Sequence, residues 1–288
     1  MDEHAQSPEQ LETPSGKGAA DENFPVGSRL IAPRLRPHVA IFYAFARAID
    51  DIADNPALAP EDKIARLDAF AEAVAGGRAA PGLEKAVRMR DSLAATGVTT
   101  RHCLDLVSAF RQDAVKRRYA DWAELMDYCD RSAAPVGRYL LDLHGESRDL
   151  WPANDALCNA LQVINHLQDC GDDYRKMDRV YLPADWMAEA GAEVSDLGAA
   201  HLSPGLRRVL DRCLEGCRQL TDAARALPAG LGSRRLAAES AVILEIARRL
   251  TARLAREDPL AGRVVLGRGA LVGAGIVGIF RVLAGRYR

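Results

Sequence analysis

From His38 onward, apolar residues recur at intervals of three and four through long segments rich in Ala, Leu and Arg. That is the period of a helix with one buried face, not the strict alternation of a half-buried strand. The pattern is interrupted at Asn55-Pro56, Gly76-Gly77 and Pro228-Ala229-Gly230, where proline and glycine favour turns. The spacing predicts helices over 37–54, 60–75, 81–95, 99–117, 121–144, 153–175, 204–226, 231–256 and 268–285. β-Branched runs are few, and neither an Asn-Gly hairpin nor a G-x-G-x-x-G loop is present, so an all-α fold is expected and a dinucleotide or P-loop fold is disfavoured. Residues 1–22 lack apolar periodicity and carry Pro8, Pro14, Gly16 and Gly18, which reads as a flexible tail. No fixed-period repeat and no Pro/Ser linker divides 23–288, so one helical domain is expected there.

Two of these helices depart from simple amphipathicity. In the first, Phe42, Phe45, Ile49 and Ile52 form an apolar face, while Tyr43, Arg47, Asp50 and Asp54 share a second stripe with Asp51 beside it. Aspartates one turn apart repel and weaken a helix, so stability alone does not explain Asp-Asp-x-x-Asp in an apolar segment. In the sixth, Gln162, Asn165, Asp169 and Asp173 share a face and Asp172 adjoins. Either run alone reads as a solvated helix face. The pair reads differently: both are flanked by apolar residues, both offer hard oxygen ligands, and neither is expected to be laced by Lys or Arg at i+4. Carboxylates at this density suit Mg²⁺, which takes a few carboxylates together with waters and the oxygens of a phosphorylated substrate. Such a cluster can stabilise a departing diphosphate and leave a carbocation in an apolar cavity.

Composition narrows the alternatives. With 38 Lys+Arg against 40 Asp+Glu, the net charge of −2 gives no global field for nucleic acid, and none is expected as a partner. The six cysteines form no C-x-x-C pair and read as reduced core residues, and the histidines show no zinc-site spacing. The first residues lack the basic-then-apolar order of a secretory signal, so a cytoplasmic location is expected. The longest uncharged apolar stretch, Gly269 to Phe280, has 12 residues, where a bilayer crossing needs about 20. Bracketed by Arg263, Arg268, Arg281, Arg286 and Arg288, this stretch has two open readings. Its glycines suit a closely packed core helix, and its basic ends suit a peripheral contact with the inner membrane face.

The motifs resemble those of the head-to-head trans-isoprenyl diphosphate synthases, the family of squalene, dehydrosqualene and phytoene synthases. Phe42 to Asp54 (FYAFARAIDDIAD) resembles the family's first aspartate-rich motif, and Asn165 to Asp173 (NHLQDCGDD) resembles the second. Arg179-Val180-Tyr181-Leu182-Pro183 follows at the family's spacing, and Tyr128-Cys129 with Ala134-Pro135-Val136-Gly137 resembles its cavity-lining helix. Asp113 and Tyr119 fall where a further pattern is expected, and the resemblance covers about 23–265. It implies an all-α isoprenoid-synthase fold with a central apolar cavity, across which the two motifs bind diphosphate through Mg²⁺. It also implies metal ligation by Asp50, Asp54, Asn165, Asp169 and Asp173, with these four aspartates, Tyr128 and Tyr181 as the catalytic set. Tyr43, Arg47, Gln162, Asn165 and Asp172 match substrate-binding positions.

Departures from the family pattern point to one branch. Glu22-Asn23-Phe24-Pro25-Val26 resembles the bacterial hydroxysqualene synthases of hopanoid biosynthesis, which adds Asn23 and Phe24 to the substrate-binding set. Gln168 stands where condensing members usually carry arginine, and Ile246 where some carry a diphosphate-contacting tyrosine. Fewer contacts for a second diphosphate are therefore expected. The activity implied is Mg²⁺-dependent conversion of presqualene diphosphate and water to hydroxysqualene and diphosphate, a carbon-oxygen lyase reaction, with sibling enzymes of the same pathway as partners. The alternative is a prenyltransferase condensing two farnesyl or geranylgeranyl diphosphates to presqualene or prephytoene diphosphate. A silent helical partner of such an enzyme is disfavoured by the intact aspartate pairs.

Overall fold

Proline in the first turn and small polar caps mark where many of the helices start. Proline at the first positions has no N–H to leave unsatisfied. A Ser or Asp cap accepts from a backbone N–H that the helix itself cannot pair. In the computed structural model, residues 31–77 and 80–285 are described, and the tail 1–22 together with Asn23 and Phe24 lies outside them. The described residues group into two compact units, one over 33–115 and the other over 116–285 with 31–32.

The first unit is built from α1 (Arg36–Asp54), α2 (Pro60–Val74), α3 (Glu84–Thr96) and α4 (Arg101–Val115). Each predicted helix here is found within three residues of its expected ends. Pro60 opens α2, and α3 stops at Gly97, whose φ of 70° is the left-handed conformation that glycine adopts without a Cβ penalty. The buried Lys63 donates to the Ala53 carbonyl at 2.8 Å, tying the start of α2 to the acidic end of α1.

The second unit contains β1 (Arg118–Tyr119), α5 (Trp122–Ser132), α6 (Ala134–His144), α7 (Trp151–Met177), β2 (Val180–Pro183), α8 (Ala184–Ala190), α9 (Pro204–Ala223), α10 (Ala226–Gly230), α11 (Arg234–Leu254) and α12 (Arg268–Leu283). The side chains of Asp121, Ser203 and Ser233 cap α5, α9 and α11. The expected helix over 121–144 is two helices. The chain breaks at Ala133 (φ −120°, ψ −47°), and Pro135 lies in the first turn of α6, where its missing N–H and fixed φ do no harm. The periodicity had hidden this break, because proline in a first turn leaves the apolar spacing intact. The parallel pair β1–β2 and the short α8 carry too few residues to show a period of their own.

α7 is the axis of this unit and packs against α5, α6, α9 and α11. Close approach of α6 depends on Gly137, where an added Cβ would fall 2.0 Å from Asn154 Oδ1. α7 ends at Asp178, the one non-glycine among the described residues with a positive φ (52°). Arg118 holds that turn by donating to the Asp178 carbonyl and, at 2.5 Å, to its carboxylate. The turn returns the chain as β2 beside the helix that carries the second acidic stripe. The cysteines lie in these interiors, and burial pushes the thiols of Cys103, Cys158, Cys170 and Cys217 up to about 12, so they pack as neutral side chains.

Candidate active site

On α1, Phe42, Phe45, Ile49 and Ile52 are buried as their spacing predicts, and Phe45 meets Phe70 of α2 with ring centroids 6.1 Å apart. Burial of that face leaves Tyr43, Arg47, Asp50 and Asp54 half-buried on the next one. Arg47 reaches Asp50 Oδ2 at 2.9 Å through Nη1 and the buried Asp51 Oδ1 at 2.8 Å through Nη2. One guanidinium is thus shared by two carboxylates, and Asp54 and the buried Asp113 of α4 add further negative charge. The Asp50 carboxyl is consequently held well above the ordinary carboxylate range. Withdrawal from water is the largest cause and Asp54 the next; Arg47 offsets part of it, and Asp51 and Asp113 add to it. Asp50 nevertheless keeps 30% of its side chain exposed, so a ligand can reach it.

The same construction recurs on α7. Gln162, Asn165, Asp169 and Asp173 are half-buried along one stripe, while Val163, Ile164, Leu167 and Cys170 fill the core. Asp169 is paired from outside its helix: Arg263 Nε lies 3.1 Å from Oδ1 and Nη2 donates to Oδ2 at 3.3 Å. Asp172 accepts from Arg175 at 2.8 Å and from Lys176 at 2.9 Å, and these bonds, that from Lys176 foremost, hold its carboxyl below the usual range. The expectation that the acidic runs lack basic partners one turn away is therefore corrected: Arg47–Asp51 and Asp172–Lys176 are both i,i+4 pairs. A side chain as long as Lys or Arg bends back along its own helix, so the partner need only be four residues off in either direction.

Next to this stripe stands a buried aromatic cluster. Tyr119 of β1, Tyr128 of α5 and Tyr181 of β2 have ring centroids 5.4–5.6 Å apart, and His166 of α7 stacks on Tyr181 at 3.6 Å with 15° between planes. Gln162 Nε2 lies 3.2 Å from His166 Nε2. Burial, assisted by the charge of Arg179, pulls the imidazole pKa down to about 3, so this ring is neutral. The expected residues Tyr128 and Tyr181 thus belong to one group with Gln162. Sequence reasoning missed His166 as a member, although its position between Asn165 and Leu167 in the acidic helix was a usable signal.

Two further positions acquire a physical account. Gln168 is buried and donates to the Val264 carbonyl, and Ile246 is buried in α11. Gln168 therefore fastens the segment that brings Arg263 onto Asp169, so a guanidinium stands at the second motif although residue 168 is not arginine. Sequence reasoning gave Arg263 no role here, because it lies 94 residues from Asp169.

Among the described residues, no three His, Cys, Asp or Glu side chains converge as a ready-made metal-ligand set. The donor chemistry still suits a hard divalent cation. Every candidate ligand is an oxygen, and Asp50, Asp51 and Asp54 cluster on α1 with Asp113 of α4 close enough to add to the raised Asp50.

The chain matches the squalene/phytoene synthase family over residues 18–270, a span that includes both acidic stripes and the aromatic cluster. It is 47% identical over 252 residues to a hydroxysqualene synthase of Zymomonas mobilis, covering 87% of this chain and 84% of that protein. Identity is also 47%, over 253 residues, with a hydroxysqualene synthase of Rhodopseudomonas palustris, covering 88% and 86%. Among solved structures, it superposes on squalene synthase HpnC from Alicyclobacillus acidocaldarius with a TM-score of 0.70 and 32% identity, covering 80% of this chain and 87% of the other. A dehydrosqualene synthase shares the fold at a TM-score of 0.75 and 18% identity, covering 91% and 92%. With its two acidic helices, its tyrosine cluster and a match running through both compact units, this chain belongs to the squalene/phytoene synthase family.

Proposed function

We propose that this chain is a hydroxysqualene synthase, converting presqualene diphosphate and water to hydroxysqualene and diphosphate, and that residues 23–288 act as one catalytic domain. The observation that carries this is 47% identity, over nearly nine-tenths of the chain, to two proteins of that activity. Family membership supports the broader statement that it acts on a prenyl diphosphate. In this reading Asp50, Asp54, Asn165, Asp169 and Asp173 hold Mg²⁺, which supplies positive charge for a departing diphosphate. Tyr43, Arg47, Gln162 and Asp172 serve the bound substrate, and Asn23 and Phe24 are assigned to it by sequence alone.

The chain's own residues then have distinct tasks. Arg47 orients Asp50 and Asp51 and tempers their repulsion. Arg263 fixes Asp169 by a two-point ion pair whose planar geometry sets the carboxylate's orientation. Tyr119, Tyr128 and Tyr181 exclude water and offer π-faces that stabilise a carbocation, and a neutral His166 adds no charge that would repel it. Cleavage of the carbon–oxygen bond leaves a cyclopropylcarbinyl cation. It rearranges, water adds its oxygen, and one proton is released to solvent, so no reductant is consumed. Both substrate and product are C30 lipids, which fits a cytoplasmic enzyme working beside the inner membrane face with sibling enzymes of the pathway.

A second reading, condensation of two farnesyl or geranylgeranyl diphosphates, draws on Arg263, which brings a guanidinium to the second motif where Gln168 provides none. Supplying presqualene diphosphate and Mg²⁺ without NADPH tests the choice: hydroxysqualene should form. Efficient production of presqualene diphosphate from farnesyl diphosphate alone would favour condensation.

A further inference from the structure

α12 is built the opposite way to a surface helix of a soluble protein. Its contact with α11 is made by small residues: Ala274 and Gly278 are buried, and an added Cβ at Gly278 would fall 2.7 Å from the Val242 backbone nitrogen. Arg249 donates to the Ala270 carbonyl and Arg281 to Glu245, both at 3.0 Å, so the helix is docked along its length. Its large side chains point the other way. Among the described residues, every exposed large hydrophobic except Val115 lies between Val265 and Leu283. Val272, Ile276, Ile279, Phe280 and Leu283, at offsets 0, 4, 7, 8 and 11, form one stripe, with Ile276 65%, Phe280 59% and Leu283 76% exposed. Burying that stripe in a core and exposing the glycines would be the favourable arrangement for a helix with water on its outer side.

Charge identifies what the stripe faces. From Pro259 to Arg288 the chain has five arginines and no acidic residue, a formal +5 in a protein of net charge −2, with Arg263 paired to Asp169 and Arg281 to Glu245. Arg268 is exposed and lies four residues before Val272, at one end of the apolar stripe; Arg286 and Arg288 follow the other end in sequence. At 16 residues the helix is too short to cross a membrane. The family match ends at Ala270, so most of the helix lies beyond the segment shared across the family.

We infer that α12 lies in the interface of an anionic lipid bilayer, with Val272, Ile276, Ile279, Phe280 and Leu283 among the acyl chains and Arg268 at the headgroups. Apolar burial and attraction to anionic lipid act together in such a helix, and arginine stems reach back to the headgroup level while their methylenes stay buried. A second copy of the chain is a poorer occupant, because pairing two such faces would bring two arginine-rich, acid-free segments together.

The test is co-sedimentation of the full chain with vesicles, independent of any catalytic assay. Wild type should bind vesicles containing phosphatidylglycerol, bind pure phosphatidylcholine weakly, and be released from the former by high salt. Ile276→Glu with Phe280→Glu should weaken binding roughly a hundredfold, and Arg268→Gln about fivefold on anionic vesicles only. Both positions of the double variant are exposed, so its thermal melt should match wild type. Leu283→Glu, at the most exposed position, gives the same reading if the double variant folds poorly. Wild type that ignores anionic vesicles overturns the inference, as does binding that survives these substitutions. A dimer by light scattering that the same substitutions dissociate, without vesicle binding, would assign the stripe to a second copy instead.

Discussion

α1 and α7 carry the same device, an acidic stripe half-buried beside a fully buried apolar face, but they balance its charge differently. On α1 the cation at Asp50 is internal: Arg47 of the same helix pairs with both Asp50 and Asp51, while Asp54 and Asp113 press further negative charge on Asp50. On α7 Asp169 draws its cation from elsewhere, Arg263 arriving from beyond α11, while Asp172 is paired within the helix by Arg175 and Lys176. The α1 site is therefore under electrostatic tension that a divalent cation would relieve, whereas the α7 site is close to neutral before anything binds. The difference teaches that two similar motifs need not contribute equally to cation affinity or to stability.

The largest effect expected from this contrast is on turnover. Asp50→Asn and Asp169→Asn should each lower kcat by about a thousandfold or more, because in the proposed reading each removes a carboxylate that would hold the Mg²⁺ facing the departing diphosphate. The two should diverge in thermal melts of the metal-free protein at neutral pH. Asp50→Asn should raise Tm by removing the cost of burying a carboxyl that the unfolded chain ionises, and Asp169→Asn should leave it nearly unchanged. Equal shifts in Tm would erase the distinction between the helices.

Removing the cations sharpens the same comparison. Arg47→Gln leaves the buried Asp51 without its ion pair and should cost roughly 1–3 kcal/mol in denaturant unfolding. Arg263→Gln breaks a pair in which both side chains are more than a third exposed or nearly so, and should cost under about 1 kcal/mol. Its kcat should nevertheless fall about tenfold to a hundredfold, since it orients Asp169, a proposed Mg²⁺ ligand. A stability loss at Arg263 as large as that at Arg47 would contradict this reading.

Gln168→Arg probes the segment that delivers Arg263. Gln168 is buried and bonded to the Val264 carbonyl, so the longer, charged side chain should cost roughly 1–3 kcal/mol. It should not confer condensation of farnesyl diphosphate. A stable variant that gains condensation would show that residue 168, rather than the placement of Arg263, decides how many diphosphates are held.

The smallest effect is a pH dependence. The raised Asp50 retains a proton in the folded state at pH values where the unfolded chain has released it. Between about pH 4 and 6.5 this is offset by the buried neutral His166, which the unfolded chain would protonate, so stability of the metal-free protein should decline as pH rises from about 6.5 to about 8. Mg²⁺ should reduce that slope, and Asp50→Asn should flatten it. A stability that climbs over the same range would reverse the sign and refute the tension assigned to α1.

How much of this was readable in advance depended on distance along the chain. The stripes of α1 and α7 were legible because helical periodicity is local: Phe42, Phe45, Ile49 and Ile52 had to turn one way, which fixed Asp50 and Asp54 on the other face. The pairing of Asp172 with Lys176 was equally local and was simply overlooked. Arg263 on Asp169 and the Tyr119–Tyr128–Tyr181–His166 cluster were not legible from spacing, because they depend on how distant elements return to α7. The break at Ala133 escaped because Pro135 sits where a helix tolerates it. For α12, glycine spacing announced close packing and flanking arginines announced a surface; the structure shows both on opposite faces of one helix.

The central claim is that the cation formed when diphosphate departs is captured by water. Turnover of presqualene diphosphate with Mg²⁺ in heavy-oxygen water, without NADPH, followed by mass spectrometry of the C30 product, tests it most directly. The account predicts one solvent oxygen in the alcohol and loss of all product in excess EDTA. An alcohol carrying no solvent oxygen, or a hydrocarbon formed in place of the alcohol, would contradict it.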